Sequence, residues 1–215
     1  MDDLTHYLGA VVRTVRKVDR DGQLARVVLA TRTYPTDIAD LWDALTNIGR
    51  IPRWFLPISG ELRLGGRYQL EGNAGGEITE CQPPKHLALT WEYGGNISWV
   101  TVTLQAETDS RTMLTLEHAA HVPDDFWEKF GAGATGVGWD LGLMGLALHI
   151  EKRATTPPEE NAAWMASEDG RNFMRLSSDH WCVASIEDGE DGAWARAAAE
   201  RTRQFYSGEG PEEPG

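Results

Sequence analysis

Two stretches of the sequence decide the fold: TRTYPTDIADLWDALTNIGRIPRWFLPISG at residues 31–60 and ATGVGWDLGLMGLALHI at residues 134–150. The first predicts a strand that Pro35 ends, then a short amphipathic helix and an aromatic turn around Trp54. The second predicts the one long helix, which follows a run of strands and has a continuous apolar strip. A sheet bracketed by a short helix and a long late helix can enclose a pocket. A container for a small molecule is therefore our first hypothesis.

The residues between these stretches predict an antiparallel sheet, because short β-rich segments alternate with turns rich in Gly, Pro and Asp. A further hairpin is predicted before them, from Leu8–Val18 and Leu24–Tyr34 around a turn at residues 19–22. Later strands are predicted at residues 61–64, 67–71, 77–81, 86–93, 96–107 and 111–121. Side-chain alternation assigns one inward face, which comprises Leu87, Leu89, Trp91, Val100, Val102, Leu104, Leu114, Leu116 and His118. The predicted fold class is α+β.

The charge balance narrows the function classes. A formal net charge of −13 on 215 residues disfavours nucleic acid and anionic membranes, because phosphate binding needs clustered Lys and Arg. No apolar run approaches the length of a membrane span and no charged-then-apolar leader opens the sequence, so we expect a cytoplasmic protein without membrane insertion. Cys81 and Cys182 have neither CxxC nor zinc spacing, which favours two reduced thiols.

Aromatic side chains predicted to point inward are the candidate site. Nine tryptophans are many for this length, and an apolar pocket with a few polar groups is typical of small-ligand sites. The alternative is that these rings only fill the core. The candidate ligand-binding residues are Trp54, Phe55, Trp91, His118, Trp139, Leu143 and Met144, and Trp42 is a further candidate wall.

His118 has two interpretations, since it lies on an otherwise apolar strand face. It is either a core histidine with satisfied hydrogen bonds, or a polar contact to a ligand or a general base. In the catalytic alternative, Glu80 or Arg67 would orient or polarise the substrate. Glu80 lies two residues after Ile78 in the same predicted strand, so alternation predicts that both point inward. If Glu80 is buried, it needs a cationic partner. His118 and His121 lack a clear third ligand, so we expect no metal, and no cofactor motif is present.

The order and spacing of these elements resemble the START-like (SRPBCC) superfamily, in particular the branch homologous to the activator of heat-shock-protein-90 ATPase. The resemblance covers about residues 8–150. It rests on the strand Val27–Tyr34, Trp42, Trp54, Gly65-Gly66-Arg67-Tyr68, Gly76-Glu77-Ile78, Pro84, Leu87, Trp91, Leu114-Thr115-Leu116-Glu117-His118 and Gly138-Trp139.

The resemblance implies a helix-grip fold, in which a curved antiparallel sheet wraps around a long C-terminal helix and leaves a cavity between them. Members of the superfamily bind lipids, polyketides, hormones or other hydrophobic ligands, and some are cyclases or hydrolases. Bacterial members of this branch mostly lack an assigned activity. The co-chaperone role belongs to eukaryotic proteins with an additional N-terminal domain, so it is not carried over to this sequence.

The resemblance ends before the sequence does. We predict a START-like domain at residues 1–153, a C-terminal helical extension at residues 154–207 with helices at about 161–188 and 192–206, and a disordered tail at residues 208–215. The extension could cover the pocket mouth, pack on the back of the long helix or form a homodimer. The favoured function is non-catalytic binding of a hydrophobic small molecule. The alternatives are a cyclase or hydrolase that uses His118, and a chaperone-related or self-association module.

Overall fold

The computed structural model describes residues 2–155 and 158–209, with the side chains of residues 2–4 and 158 left aside. Its strands are β1 (Val12–Arg20), β2 (Gln23–Tyr34), β3 (Ile58–Gly60), β4 (Arg67–Leu70), β5 (Gly75–Gln82), β6 (His86–Tyr93), β7 (Asn96–Thr108) and β8 (Arg111–Ala120). Its helices are α1 (Asp2–Gly9), α2 (Ile38–Thr46), α3 (Asp124–Phe130), α4 (Gly133–Lys152), α5 (Pro158–Ala166), α6 (Glu168–Glu187) and α7 (Gly192–Ser207), with a 3₁₀ turn at Ile51–Arg53.

The eight strands form one antiparallel sheet in the order β1-β2-β8-β7-β6-β5-β4-β3. The sheet is curved and unclosed, and α4 packs against its inner face, which confirms the α+β helix-grip prediction. The predicted alternation is also present. His118 of β8 pairs with Val28 of β2 on one side and with Val100 of β7 on the other, and all three side chains are buried on the inner face.

A β-bulge makes one parity prediction wrong. The register of β5 against β6 shifts between Ile78 and Glu80. An extra residue in one strand reverses which face the following side chains point to. Ile78 is therefore buried, while Glu80 is exposed. Alternation alone gives no sign of such an insertion.

The N-terminal strand prediction was too long. Residues 8–11 do not belong to β1, because the chain begins with α1 and β1 starts only at Val12. Tyr7 and Leu8 are buried against the core. Residues 61–64 form no strand, and a tight turn at residues 63–66 is closed by the bond from the Gly66 N–H to the Arg63 carbonyl. The neighbouring strand, β3, lies earlier.

The extension packs on the helix-grip body. One predicted helix at about 161–188 is in fact two, because Ser167 ends α5 and its side chain accepts the Gly170 N–H as the N-cap of α6. Phe173, Met174 and Trp181 of α6 belong to the same hydrophobic core as the sheet. Gly208 and Glu209 follow α7 in the described chain, and the rest of the predicted disordered tail, residues 210–215, lies outside the described residues.

Candidate functional site

A cavity of about 940 Å³ lies between the sheet, α4, the aromatic turn and α5. Its volume falls in the range of small-molecule sites. Six of the seven predicted ligand-binding residues line it: Trp54, Phe55, Trp91, His118, Trp139 and Met144. The sequence therefore identifies much of the aromatic part of the wall, but not the other residues that line the cavity.

Two predicted wall residues lie elsewhere. Leu143 is buried, but it faces the packed side of α4, where its carbonyl accepts the hydroxyl of Tyr34 at 3.1 Å. Trp42 packs against the core without lining the cavity. Met144, the residue after Leu143, points into the cavity, because consecutive residues on a helix differ in direction by about 100°.

Glycines give α4 a cavity-facing surface with little side-chain volume. Gly138 and Gly142 line the cavity one helical turn apart. Gly145, one turn further on, lets the aromatic turn approach, since a Cβ there would lie 2.4 Å from the Trp54 carbonyl oxygen. These glycines lower helix propensity by about 1 kcal/mol each relative to Ala. Their spacing in the sequence is the signal for a cavity-facing helix surface.

The aromatic wall consists of rings held against one another. Trp139 lies 5.2 Å from Trp91 and 6.4 Å from Phe55 between ring centroids, and the Trp139 and Phe55 planes differ by 10°. Trp54 lies 5.4 Å from Phe55, and its indole N–H donates to the Ala44 carbonyl at 3.0 Å. The rings are thereby fixed in orientation, which reduces the entropy lost when an aromatic ligand packs on them.

His118 is hydrogen-bonded at both ring nitrogens. The Trp139 indole N–H donates to Nδ1 at 3.0 Å, and Nε2 lies 2.8 Å from the Ser98 hydroxyl oxygen. Because an indole N–H can only donate, Nδ1 must be the acceptor and the neutral ring must carry its proton on Nε2. The Ser98 hydroxyl in turn donates to the Trp91 carbonyl at 3.1 Å. The network is complete and neutral.

This network is the reverse of a nucleophile–base pair. A Ser–His pair needs an unprotonated imidazole nitrogen facing the hydroxyl. Here the nitrogen that faces Ser98 carries the proton. Burial also lowers the pKa of His118 from 6.5 to about 4, which makes it a weak base at neutral pH. Of the two interpretations of His118, the geometry favours the satisfied histidine at the cavity wall.

The other two residues of the catalytic alternative do not reach His118. Glu80 is exposed and contacts His86 at 3.3 Å. Arg67 is exposed and pairs with Glu92 at 2.6 Å. Neither lines the cavity. The prediction that either orients a substrate for His118 is therefore wrong in this structure, and the bulge after Ile78 is the reason for Glu80.

The extension supplies the outer wall of the cavity, which the sequence did not assign. Trp164 and Met165 of α5 line it, and Trp164 packs edge-to-face on Phe173 of α6 at 5.7 Å. A Cβ at Gly170 would lie 2.2 Å from the Trp164 carbonyl oxygen, so this glycine lets α5 fold back on α6. Tyr206 of α7 also lines the cavity. The extension thus both covers the cavity and packs behind α4.

Behind α4 lies a buried charged cluster around Asp140. Its carboxylate accepts hydrogen bonds from Arg13 Nε at 3.0 and 3.2 Å, from the Ser177 hydroxyl and from the Trp181 indole N–H at 3.1 Å. Arg13 also donates to the Leu8 carbonyl at 3.2 Å. Burial is the largest influence on the pKa of Asp140 and raises it, while the three donors lower it. The cluster joins α1, β1, α4 and α6.

Metal and membrane sites have no support in the described chain. No group of three or more His, Cys, Asp or Glu side chains among the described residues could hold a metal ion. Within the same part of the chain, none of the helices combines the length and apolar composition that a membrane crossing needs. Cys81 and Cys182 are free thiols.

The comparison with known families agrees with the geometry. A family model described as "Activator of Hsp90 ATPase homolog 1-like protein" matches residues 35–151, more than half of the chain. This chain belongs to that family. The matched residues of this AHSA1 family member run from just after β2 almost to the end of α4, so they contain strands β3–β8, the aromatic turn and the long helix. The START-like resemblance is confirmed.

Solved structures extend the comparison. CalU16 from Micromonospora echinospora is 30% identical, and its crystal structure gives a TM-score of 0.65 over 84% of this chain and 99% of that chain. Its solution structure gives a TM-score of 0.67, again at 30% identity, over 84% and 97% of the two chains. Residues 1–153 make up less than three quarters of this AHSA1 family member. A match over 84% of the chain must therefore include part of the helical extension.

A more distant structure shows the same fold. EF2215 from Enterococcus faecalis is 16% identical, with a TM-score of 0.60 over 87% of this chain and 96% of that chain. A search of curated proteins finds no match. The comparisons therefore place this AHSA1 family member by family and fold, and its chemistry has to be argued from the cavity.

Proposed function

We propose that this protein binds a hydrophobic, aromatic small molecule in the cavity between sheet and α4, and that it does so without catalysis. The observation that carries the proposal is the cavity of about 940 Å³ with rings of Trp54, Phe55, Trp91 and Trp139 on its wall. Large, oriented aromatic faces favour stacked and edge-to-face contacts with another ring system. Burying apolar ligand surface contributes about 25 cal/mol per Å² before the costs of association.

The polar groups of the inner wall support binding rather than reaction. The Trp139, His118 and Ser98 side chains use their hydrogen-bonding atoms on one another and on the Trp91 carbonyl. A catalytic site would need a base and a polarising group converging on one substrate atom. Family membership supports small-molecule binding at this coarse level.

A fluorescence titration with 1-pyrenemethanol, an uncharged polycyclic alcohol, tests the proposal. Saturable quenching of tryptophan emission and a change in pyrene emission are expected. Gly142→Leu should weaken the affinity at least about tenfold, because the new side chain enters the cavity beside Phe55. Ala197→Leu, an exposed change on α7, is the matched control and should bind like the wild type. Absence of saturable binding to the wild type contradicts the proposal.

Two further expectations belong to this proposal. A cytoplasmic location is supported by the free thiols of Cys81 and Cys182. A homodimer through the extension stays a prediction, and gel filtration of the full chain tests it. A single species at the monomer mass across a wide concentration range would contradict it.

A further inference from the structure

The charged side chains that line the cavity all carry the same sign. Glu160 of α5 and Asp169 of α6 line it at the outer wall, and no Lys or Arg is among the lining residues that the structure describes. Both acidic residues are exposed to solvent at the rim, where carboxylates are negatively charged at neutral pH. A ligand in the aromatic interior therefore meets negative charge wherever it reaches this rim.

Neither carboxylate has its charge neutralised within the described chain. No ion pair joins Glu160 or Asp169 to a Lys, Arg or His of residues 2–155 and 158–209. Both lie in the first turn of a helix, where negative charge is favourable. A place in the first turn does not by itself bring a side chain to the cavity. Glu159 and Glu168 lie in the same two first turns and do not line the cavity.

The inner wall does not offset this negative rim. His118 is the titratable nitrogen base of the wall, and its two ring nitrogens are occupied by Trp139 and Ser98 in a neutral arrangement. The faces of Trp91 and Trp139 are electron-rich and attract cations rather than anions. A carboxylate ligand would find no partner among these groups, whereas a cationic substituent would be favoured at the rim and along the aromatic wall.

We propose that the ligand is an aromatic polycycle with an amine or another cationic substituent, whose rings occupy the tryptophan-lined interior and whose cation lies at the rim beside Glu160 and Asp169. This inference rests on the proposed binding function and specifies its ligand class. It also predicts discrimination against hydrophobic carboxylates such as fatty acids. The attraction acts across solvent-exposed distances, so it is modest and depends on ionic strength.

Three matched probes test the inference: 1-pyrenemethylamine, 1-pyrenemethanol and 1-pyrenecarboxylate, titrated into the full chain at low and at high salt. We expect the amine to bind about tenfold or more tightly than the carboxylate at low salt, with the alcohol between them, and we expect salt to reduce the difference. The double variant Glu160→Gln/Asp169→Asn should bring the affinities for amine and carboxylate to within about threefold. The affinity for the uncharged alcohol, measured alongside, should change less than the affinity for the amine or for the carboxylate.

The double variant Glu159→Gln/Glu168→Gln is the control, because it removes the same charge from the same two helix turns outside the cavity. It should keep the preference for the amine. An equal loss of the preference for the amine in both double variants would overturn the inference, because the net charge of the protein rather than the two rim carboxylates would then determine that preference. Carboxylate affinity equal to or greater than amine affinity would also overturn it. If the alcohol itself fails to bind, the proposed function is wrong, and that outcome is distinct from a failed charge preference.

Discussion

Trp139 and Asp140 are neighbours in the sequence, yet they belong to two different buried networks on two sides of α4. Trp139 donates to His118 in a neutral network at the wall of the open cavity. Asp140 pairs with Arg13 in a charged network that the extension covers. Charges are costly to bury unless every partner is in place. The difference indicates that the charged side of α4 fixes the architecture, while the neutral side is left available to a ligand.

The packing on the two sides differs in the same way. On the extension side, a Cβ at Gly136 would lie 2.2 Å from the Trp181 ring, so glycine there permits close helix contact. On the cavity side, Gly138 and Gly142 border open space of about 940 Å³. The missing side chain of glycine therefore allows close helix packing on one side of α4 and leaves space for a cavity on the other.

The largest effect is expected from breaking the charged network. Asp140→Ala leaves Arg13 buried without its carboxylate, and we expect the free energy of unfolding to fall by about 3–5 kcal/mol. Urea denaturation followed by tryptophan fluorescence measures it. Ser177→Ala, which removes one neutral donor, should cost only about 1–2 kcal/mol. An Asp140→Ala loss no larger than that of Ser177→Ala would contradict this assignment.

The neutral network should give a distinct pH dependence. Burial lowers the pKa of His118 from 6.5 to about 4, so the folded state disfavours the proton that the unfolded chain accepts. The resulting stability is complete above pH 6.5 and is lost as the pH falls toward 4. Between pH 7.5 and pH 4 it should decline by roughly 3 kcal/mol relative to His118→Gln. Parallel stability curves for the two proteins would show that His118 titrates normally.

Removing the donor to His118 should have a smaller effect. Trp139→Phe leaves Nδ1 without its indole partner, and we expect a loss of about 1–3 kcal/mol in unfolding free energy. An aromatic face remains, so the affinity for 1-pyrenemethanol should change less than about tenfold. Calorimetric unfolding and fluorescence titration provide the two readouts. Wild-type stability in this variant would mean that the hydrogen bond contributes little.

The smallest effects are expected outside the cavity. Arg67→Ala and Glu80→Gln each break a contact at the surface, where solvent screens the attraction, so we expect little change in stability. Their affinity for 1-pyrenemethanol should equal that of the wild type. A tenfold loss of affinity in either variant would indicate that the residue contributes to ligand binding, which would contradict the geometry.

The sequence was sufficient for most of the sheet and for six of the residues that line the cavity. Strict alternation in β7 and β8 identified the inward face that carries His118, and the aromatic turn identified Trp54 and Phe55. The sequence-based prediction failed for Glu80, because a β-bulge reverses the face to which the following side chains point and leaves no sign in the residue composition. The Ser167 cap that divides α5 from α6 could have been recognised, since a Ser before Glu168 is a common helix start.

Long-range partners were beyond the sequence. Arg13 and Asp140 are 127 residues apart, and nothing local to either marks the other as its partner. The same holds for Trp164, whose place in the outer wall depends on how α5 folds back over α6. These contacts are set by tertiary packing rather than by periodicity.

The most direct test of the difference between the two sides of α4 is the indole N–H region of a ¹H–¹⁵N spectrum during titration with 1-pyrenemethanol. The nine tryptophans each give one such signal, and Trp→Phe variants assign them. We predict that the signals of Trp54, Trp91 and Trp139 shift and saturate together, while that of Trp181 behind α4 stays in place. A shift of Trp181 with unchanged signals from the other three would contradict the account.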